Sequence, residues 1–355
     1  MNSILKSVFA LPTAPFREEA VAAWVRAFCR QRRLQLRGDE HGNLLITPIP
    51  APQSPRWVFV AHMDHPGLEA IRMSGKGRLL ARFRGGVLAS HLPRTPVVFF
   101  TRNGTIRGRI TDAKAGPRGY AVEATVRIAK EVPSGSPGMF DLDVNRPKGP
   151  LLHNRAIDDL GGVAATLQAM ANLSGSRARA HAAALLTRAE ETGFIGAIAA
   201  ARDGRLIRRT DALLSIECSA QQPVAQQGKG VVIRVGDKTS VFDSGLTYQI
   251  TQIAQKLSGQ HKSFAFQRAL MPGGTCEATA FDVYGYRAAA VCIPLGNYHN
   301  MVPGRKQIAA EYIHLGDWQC LVDLLTAIGS QPPSPDLGTL KIRLEKSFAK
   351  LRKYL

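Results

Sequence analysis

The sequence predicts an α/β fold: a mixed-sheet domain flanked by helices, with a small antiparallel β-barrel domain inserted into it. Three observations carry this expectation. Val58-Phe59-Val60-Ala61 is apolar without face alternation, as a strand covered on both sides of a sheet reads. Comparable apolar runs recur at Leu185-Leu186-Thr187, Ala212 to Cys218 and Ala290 to Ile293, separated by segments of helical period. Residues 68–149 instead alternate with period two between frequent turn signals. With 355 residues the chain exceeds the size at which one core keeps growing. The expected division is 1–67 and 150–330 for the sheet domain, 68–149 for the insert, and 331–355 for a linker and a basic amphipathic C-terminal helix.

Taken in order, Pro15-Phe16-Arg17-Glu18-Glu19 begins a helix with Thr13 as its cap, and Val21, Trp24, Val25 and Phe28 recur at helical spacing. Asp39 to Gly42 is a turn into a strand, which leaves His41 facing solvent. The apolar strand that follows ends in His62-Met63-Asp64. In the insert, Leu79, Ala81 and Phe83 share one face of Arg78 to Arg84, with three arginines opposite. Similar pieces lie at 95–100, 105–110 and 121–128, divided by Asn103-Gly104, Gly116-Pro117 and Ser134 to Gly138. His91 and His153 read as surface residues, with substrate contact as the alternative.

Beyond the insert, Asn154-Arg155-Ala156-Ile157-Asp158-Asp159 opens a helix over Gly161 to Leu173, with Val163, Leu167, Met170 and Ala171 inward. Leu185 to Thr187 is a strand leading to Glu190-Glu191, which are expected at the start of a helix over Gly193 to Ala199. Ala212 to Cys218 is a strand carrying Glu217 near its end. Gly228 to Asp237 is Gly-rich but lacks the spacing of a phosphate loop. Gln249 to Leu257 reads as a helix, and the loop Met271 to Thr275 is expected to bring backbone amides to the substrate carbonyl. Ala290 to Ile293 is a strand running on to His299, and Leu315 to Ile328 is a closing helix. Gln331 to Pro335 is a linker. The tail Thr339 to Leu355 is an amphipathic basic helix, for which packing on the enzyme or a neighbouring subunit is favoured over a membrane surface.

Composition excludes several classes. No run approaches the roughly 20 apolar residues that span a bilayer, and the start of the chain lacks the features of a cleaved signal. The five cysteines are scattered without C-x-x-C spacing, which argues for a reducing, cytoplasmic compartment and against a disulfide framework. The formal charge of +19 reads first as a solvated basic surface; weak polyanion binding is the alternative, and neither nucleic acid nor membrane is an expected partner.

The chemistry lies at the ends of the apolar segments, which deliver His62, Asp158, Glu190 with Glu191, Glu217 and His299. Carboxylates packed together repel, so such a set with two imidazoles is comfortable around a cation. Nitrogen and oxygen donors without thiolates suit zinc, manganese or cobalt at a catalytic site. Two metals roughly 3.5–4 Å apart need about two terminal ligands each and one bridging carboxylate.

The ordered set His-x-Asp, Ala-x-Asp-Asp, Glu-Glu-x-Gly, a strand ending in a carboxylate, and Ile-Pro…Tyr-His resembles the dinuclear zinc aminopeptidases of the glutamyl-aminopeptidase and tetrahedral-aminopeptidase family over residues 1–330. The resemblance implies His62 and Glu217 on one metal, Glu191 and His299 on the other, and Asp158 bridging. It makes Asp64 the carboxylate that orients His62, and Glu190 the general base for the attacking water. It implies a zinc-peptidase catalytic domain whose β-barrel insert shapes the substrate chamber, two divalent ions (zinc first, cobalt or manganese next), peptide substrates and a homo-oligomer. Two departures stand out: Glu217 replaces the family's usual Asp, and its Gly-Thr-Asp-Ala appears as Gly274-Thr275-Cys276-Glu277-Ala278. A metal-dependent deacylase of N-acyl amino acids is the alternative activity, slightly favoured by Glu217. A polyanion-binding protein on a retired fold is disfavoured by the complete ligand set.

Overall fold

The computed structural model describes residues 2–176, 179–334 and 337–355. Trp57–His62 is buried along its whole length and runs parallel between Ala182–Thr187 and Ala212–Ala220. Ala212–Ala220 is in turn parallel to Arg287–Gly296. These four strands form the middle of an 11-stranded sheet, which antiparallel neighbours such as Leu44–Thr47 and Glu311–His314 make mixed. Successive side chains of a strand point to opposite faces. Trp57, Phe59 and Ala61 accordingly join one core with the helices Ser3–Phe9, Glu19–Arg32, Leu160–Gly175, Ser244–Gln260 and Leu315–Gly329, while Val58 and Val60 join the core under Ile195–Asp203 and Glu277–Val283. A strand with two buried faces needs apolar residues at every position, which is why its sequence does not alternate.

The chain leaves the sheet after His62 and builds a closed barrel from Gly67–Gly75, Arg78–Arg84, Ala121–Ile128, Gly104–Ala115, Pro96–Thr101 and Pro137–Phe140, in that spatial order. Leu79, Ala81, Phe83, Val97, Phe99, Ile110 and Val126 fill its interior, and the arginines of alternate positions point outward. Register shifts near Ala70 and Ile110 mark the bulges that let so small a sheet close. The backbone then rejoins the main sheet through Arg146–Lys148 and Leu151–Asn154.

Three elements differ from expectation. The first long helix starts at Glu19 instead of Pro15. The Thr13 hydroxyl donates to the Met63 carbonyl at 2.7 Å and Phe16 is left-handed, so this stretch is a tether to the sheet. Glu190–Thr192 forms a separate short turn, and the helix begins only at Ile195, because Gly193 and Phe194 both have positive φ. The C-terminal helix spans Gly338–Leu351, and every residue from Lys341 to Leu355 is exposed. Pro335 of the expected linker lies outside the described residues. All five cysteines are free and buried. Among the described residues no helix is long and apolar enough to cross a membrane.

Candidate metal centre

Asp158, Glu190, Glu191 and His299 are each fixed by a backbone N–H bond to a carboxylate, and Glu217 Oε1 accepts from the Ser215 hydroxyl at 3.0 Å. His62 is the last residue of its strand, and Met63 N–H still donates to the Thr187 carbonyl at 2.9 Å, so Asp64 turns toward the neighbouring strand end. The Asp64 carboxylate accepts Glu190 N–H at 3.0 Å and Glu191 N–H at 3.1 Å. It also lies 3.5 Å from His62 Nδ1. Just before the glutamates, Ala189 is left-handed, held by its N–H bond to Glu18 Oε1 at 3.0 Å. The same Glu18 accepts from Arg188 Nε at 2.6 Å.

On the opposite side Glu311 organises two segments at once. Its Oε2 accepts Ile157 N–H at 2.6 Å and Asp158 N–H at 3.2 Å, and its Oε1 accepts His299 N–H at 2.9 Å. His65 bridges the Asp158 carbonyl and Asn300 Oδ1. His299 is itself left-handed, and its Nδ1 lies 3.1 Å from the Gly86 carbonyl of the barrel. A proton donated there, and one from His62 Nδ1 to the Asp64 carbonyl at 3.2 Å, leaves both Nε2 lone pairs facing inward.

The inward atoms converge. His62 Nε2 is 3.5 Å from Asp158 Oδ1, His299 Nε2 is 3.6 Å from Asp158 Oδ2, and His299 Nε2 is 3.2 Å from Glu191 Oε1. Donor atoms of His62, Asp158 and Glu217 lie within 4.8 Å of one another, as do those of Asp158, Glu191 and His299. Asp158 thus belongs to both triads, one oxygen turned toward each imidazole. Asp158 Oδ1, Glu191 Oε1 and His299 Nε2 are buried without a hydrogen-bond partner among the described residues. Buried lone pairs facing one another are costly unless a cation lies between them, so this donor set fits divalent metal ions.

The electrostatics agree. Burial raises the Glu217 carboxyl to about 7 and, with Glu191, Glu217 and Glu277 nearby, pushes Glu190 well above the usual carboxylate range. Burial alone would lower His62; Glu190, Asp158 and Asp64 outweigh it and raise the imidazole well above its ordinary value. His299 is raised in the same way against burial by Glu191 and Asp158. Asp158 goes down despite burial, because the His299 and His62 imidazoles face its carboxylate. A divalent ion bound among these groups would displace protons from them.

Two partners, Glu18 and Glu311, gave no signal in the sequence. Glu18 read as an ordinary first-turn acid, and Glu311 stands in a short strand with no motif around it. Asp159 caps the helix Leu160–Gly175 by accepting Gly162 N–H at 3.2 Å. Glu277 is fully buried, has no hydrogen-bond partner for either oxygen among the described residues, and is raised by burial to about 8. Cys276, next to the Gly-rich loop, is 1% exposed, and burial pushes its thiol far above the range of a nucleophile. Gly273, Gly274 and Thr275 of the loop line a cavity of about 80 Å³ beside Glu217, together with Ser219, Arg234 and Tyr298. Arg234 is 3% exposed; its Nη1 donates to Ser219 Oγ at 3.3 Å, and its Nε has no partner among the described residues. His41 is exposed, and His153 stacks on Tyr312.

Comparison with solved structures finds the same fold elsewhere. The Pyrococcus horikoshii TET1 peptidase, which can assemble into a tetrahedron or a large octahedral shell, is 23% identical with a TM-score of 0.76, covering 92% of this chain and 98% of that one. A structure of PhTET1-12s, a dodecamer, is 24% identical with a TM-score of 0.75 and covers 93% and 99%. Aminopeptidase APDkam598 from the archaeon Desulfurococcus kamchatkensis is 22% identical with a TM-score of 0.75 and covers 93% and 94%. No curated protein matches the sequence. The sequence profile of the M42 glutamyl aminopeptidases matches residues 120–309, more than half of the 355 residues. The chain therefore belongs to the M42 glutamyl aminopeptidase family of metal-dependent aminopeptidases.

Proposed function

We propose that the protein hydrolyses N-terminal residues from peptides with two divalent ions, His62, Asp158 and Glu217 holding one and Asp158, Glu191 and His299 the other. The observation that carries this reading is the pair of triads sharing Asp158, with unpartnered lone pairs turned inward. Zinc suits a set of imidazoles and carboxylates that lacks thiolates. Bound there, the ions would supply Lewis-acid polarisation of the scissile carbonyl and acidify water. Glu190, whose carboxyl lies 3.9 Å from His62 Nε2, takes the proton of the attacking water and returns it to the departing amine. Burial raises this carboxyl well above the ordinary carboxylate range, which favours its holding that proton. Asp64 fixes Glu190 and Glu191 through their backbone, and Glu311 does the same for Asp158 and His299. Family membership favours this activity over the N-acyl amino acid deacylase.

For the substrate side chain we propose an acidic residue, Glu or Asp, held in the cavity beside Glu217. A buried guanidinium with an unpartnered N–H favours a carboxylate over an apolar or basic group. The fold shared with oligomeric TET peptidases supports a homo-oligomer, and five buried free thiols suit the cytoplasm.

Anilides of Glu, Asp, Leu and Lys test the substrate reading. The expected order places Glu and Asp first, and Arg234→Met should lower kcat/KM for them by roughly 30- to 1000-fold while leaving the Leu anilide within a few-fold. A preference for Leu or Lys, or an equal loss on all four, would sink the acidic pocket.

A further inference from the structure

The helix Gly338–Leu351 and the turn Arg352–Tyr354 that extends it keep their side chains in solvent from Lys341 onward. Their faces differ sharply. At one residue per 100°, Leu340, Leu344, Phe348 and Leu351 of the helix fall within an arc of about 80°. Leu344, Phe348 and Leu351 on it are 59%, 55% and 54% exposed. Lys341 and Arg352 border the arc on one side and Arg343 and Lys350 on the other, with Lys346 and Lys353 behind. Glu345 is the only acid in this stretch, and Ile342 the only large apolar residue on the charged face.

A stripe of this kind is not stable facing water alone, and charge decides what covers it. A second copy would bring the two cationic borders together with a single glutamate to answer six bases, whereas paired helices need opposite charges at their edges. The rest of the chain is itself strongly basic. A nucleic acid would use the cations and leave the leucines exposed. An anionic bilayer surface uses both: the apolar arc enters the acyl boundary, and the lysines and arginines along its two borders reach phosphate headgroups on either side. The helix lies in the plane of such a surface, since it is too short and too charged to cross it. We propose that this helix docks the enzyme on an anionic lipid surface. The inference is independent of the metal centre.

The test is flotation of the full chain with vesicles of phosphatidylcholine alone and of phosphatidylcholine containing phosphatidylglycerol. The protein should rise only with the phosphatidylglycerol vesicles and be released by about 0.5 M salt. The double variant Leu344→Asp/Phe348→Asp should bind at least about tenfold more weakly. Its aminopeptidase activity on a small soluble anilide should be unchanged, which reports an intact fold. Equal binding to both vesicle types, no binding to either, or unchanged binding by the double variant would overturn the proposal. A loss of oligomeric mass in the double variant would overturn it too, by making a second copy the occupant.

Discussion

Glu190, partly buried, and Glu311, fully buried, both stand beside the candidate metal donors, yet their hydrogen bonds assign them opposite duties. Glu190 receives a backbone anchor from Asp64 and has its own carboxyl turned to the centre; Glu311 spends both oxygens on the backbone of the residues that point there. Glu190→Gln should therefore lower kcat by about 10²- to 10⁴-fold while metal content, read by elemental analysis, stays at the wild-type level. Glu311→Gln should do the reverse: an amide that turns an N–H toward a backbone N–H weakens metal binding by roughly 10- to 100-fold, and added metal restores most of the rate. If Glu190→Gln emptied the site, or Glu311→Gln lost rate without losing metal, the two roles would be exchanged. The inward donors were legible in the sequence because each sits at the end of an apolar run, in an order that a chain does not produce by accident. Glu18, Glu311 and Arg234 were not legible, because a lone charged residue shows nothing until the fold brings distant backbone atoms to it.

At the scale of elements, the strands and long helices could be read because burial on one or two faces writes a period into the sequence. The breaks between them could not. Gly193 and Phe194 detach the glutamate turn from its helix through backbone angles that no hydrophobic pattern reveals. The turn after Val231–Gly236 is a second case. The segment lacks the spacing of a phosphate loop, and its Asp237 has a structural task. Its carboxylate accepts Thr279 Oγ1 at 2.6 Å, Cys276 N–H at 3.0 Å, Thr239 N–H at 2.7 Å and Ser240 N–H at 3.0 Å, which ties the turn to the start of the helix Glu277–Val283. Burial would raise this acid; those four bonds outweigh it and hold it below its ordinary value. A depressed folded-state pKa contributes stability that is present above the unfolded value near 4 and is lost as pH falls through the folded one. Asp237→Asn should thus cost about 1–3 kcal/mol in urea unfolding at pH 7, with the gap to wild type closing below about pH 4. A gap that stays constant across that range would mean the carboxylate is not held in its charged form.

For the whole molecule, the candidate metal centre is a junction as much as a site. Its donors come from the sheet strand at His62, the segment at Asp158, the turn at Glu191, the next strand at Glu217 and the loop at His299, and Gly86 of the barrel holds the last imidazole. A ligand that binds the folded state alone stabilises it by about 4 kcal/mol when its concentration is roughly 1,000 times Kd. At the unfolding entropy of a chain this long, that is on the order of 5 °C in Tm. Removing the ions with a chelator should lower Tm by that amount, and zinc should restore it. The loss should be smaller in Glu217→Ala, where one triad has already lost a donor. Hydrogen exchange should then quicken first at both ends of the junction, around Gly86 and around Glu190, before the strands beneath them. An unchanged Tm after complete removal of metal would mean that hydrogen bonds alone hold these segments together, and that the buried acids tolerate one another by sharing protons.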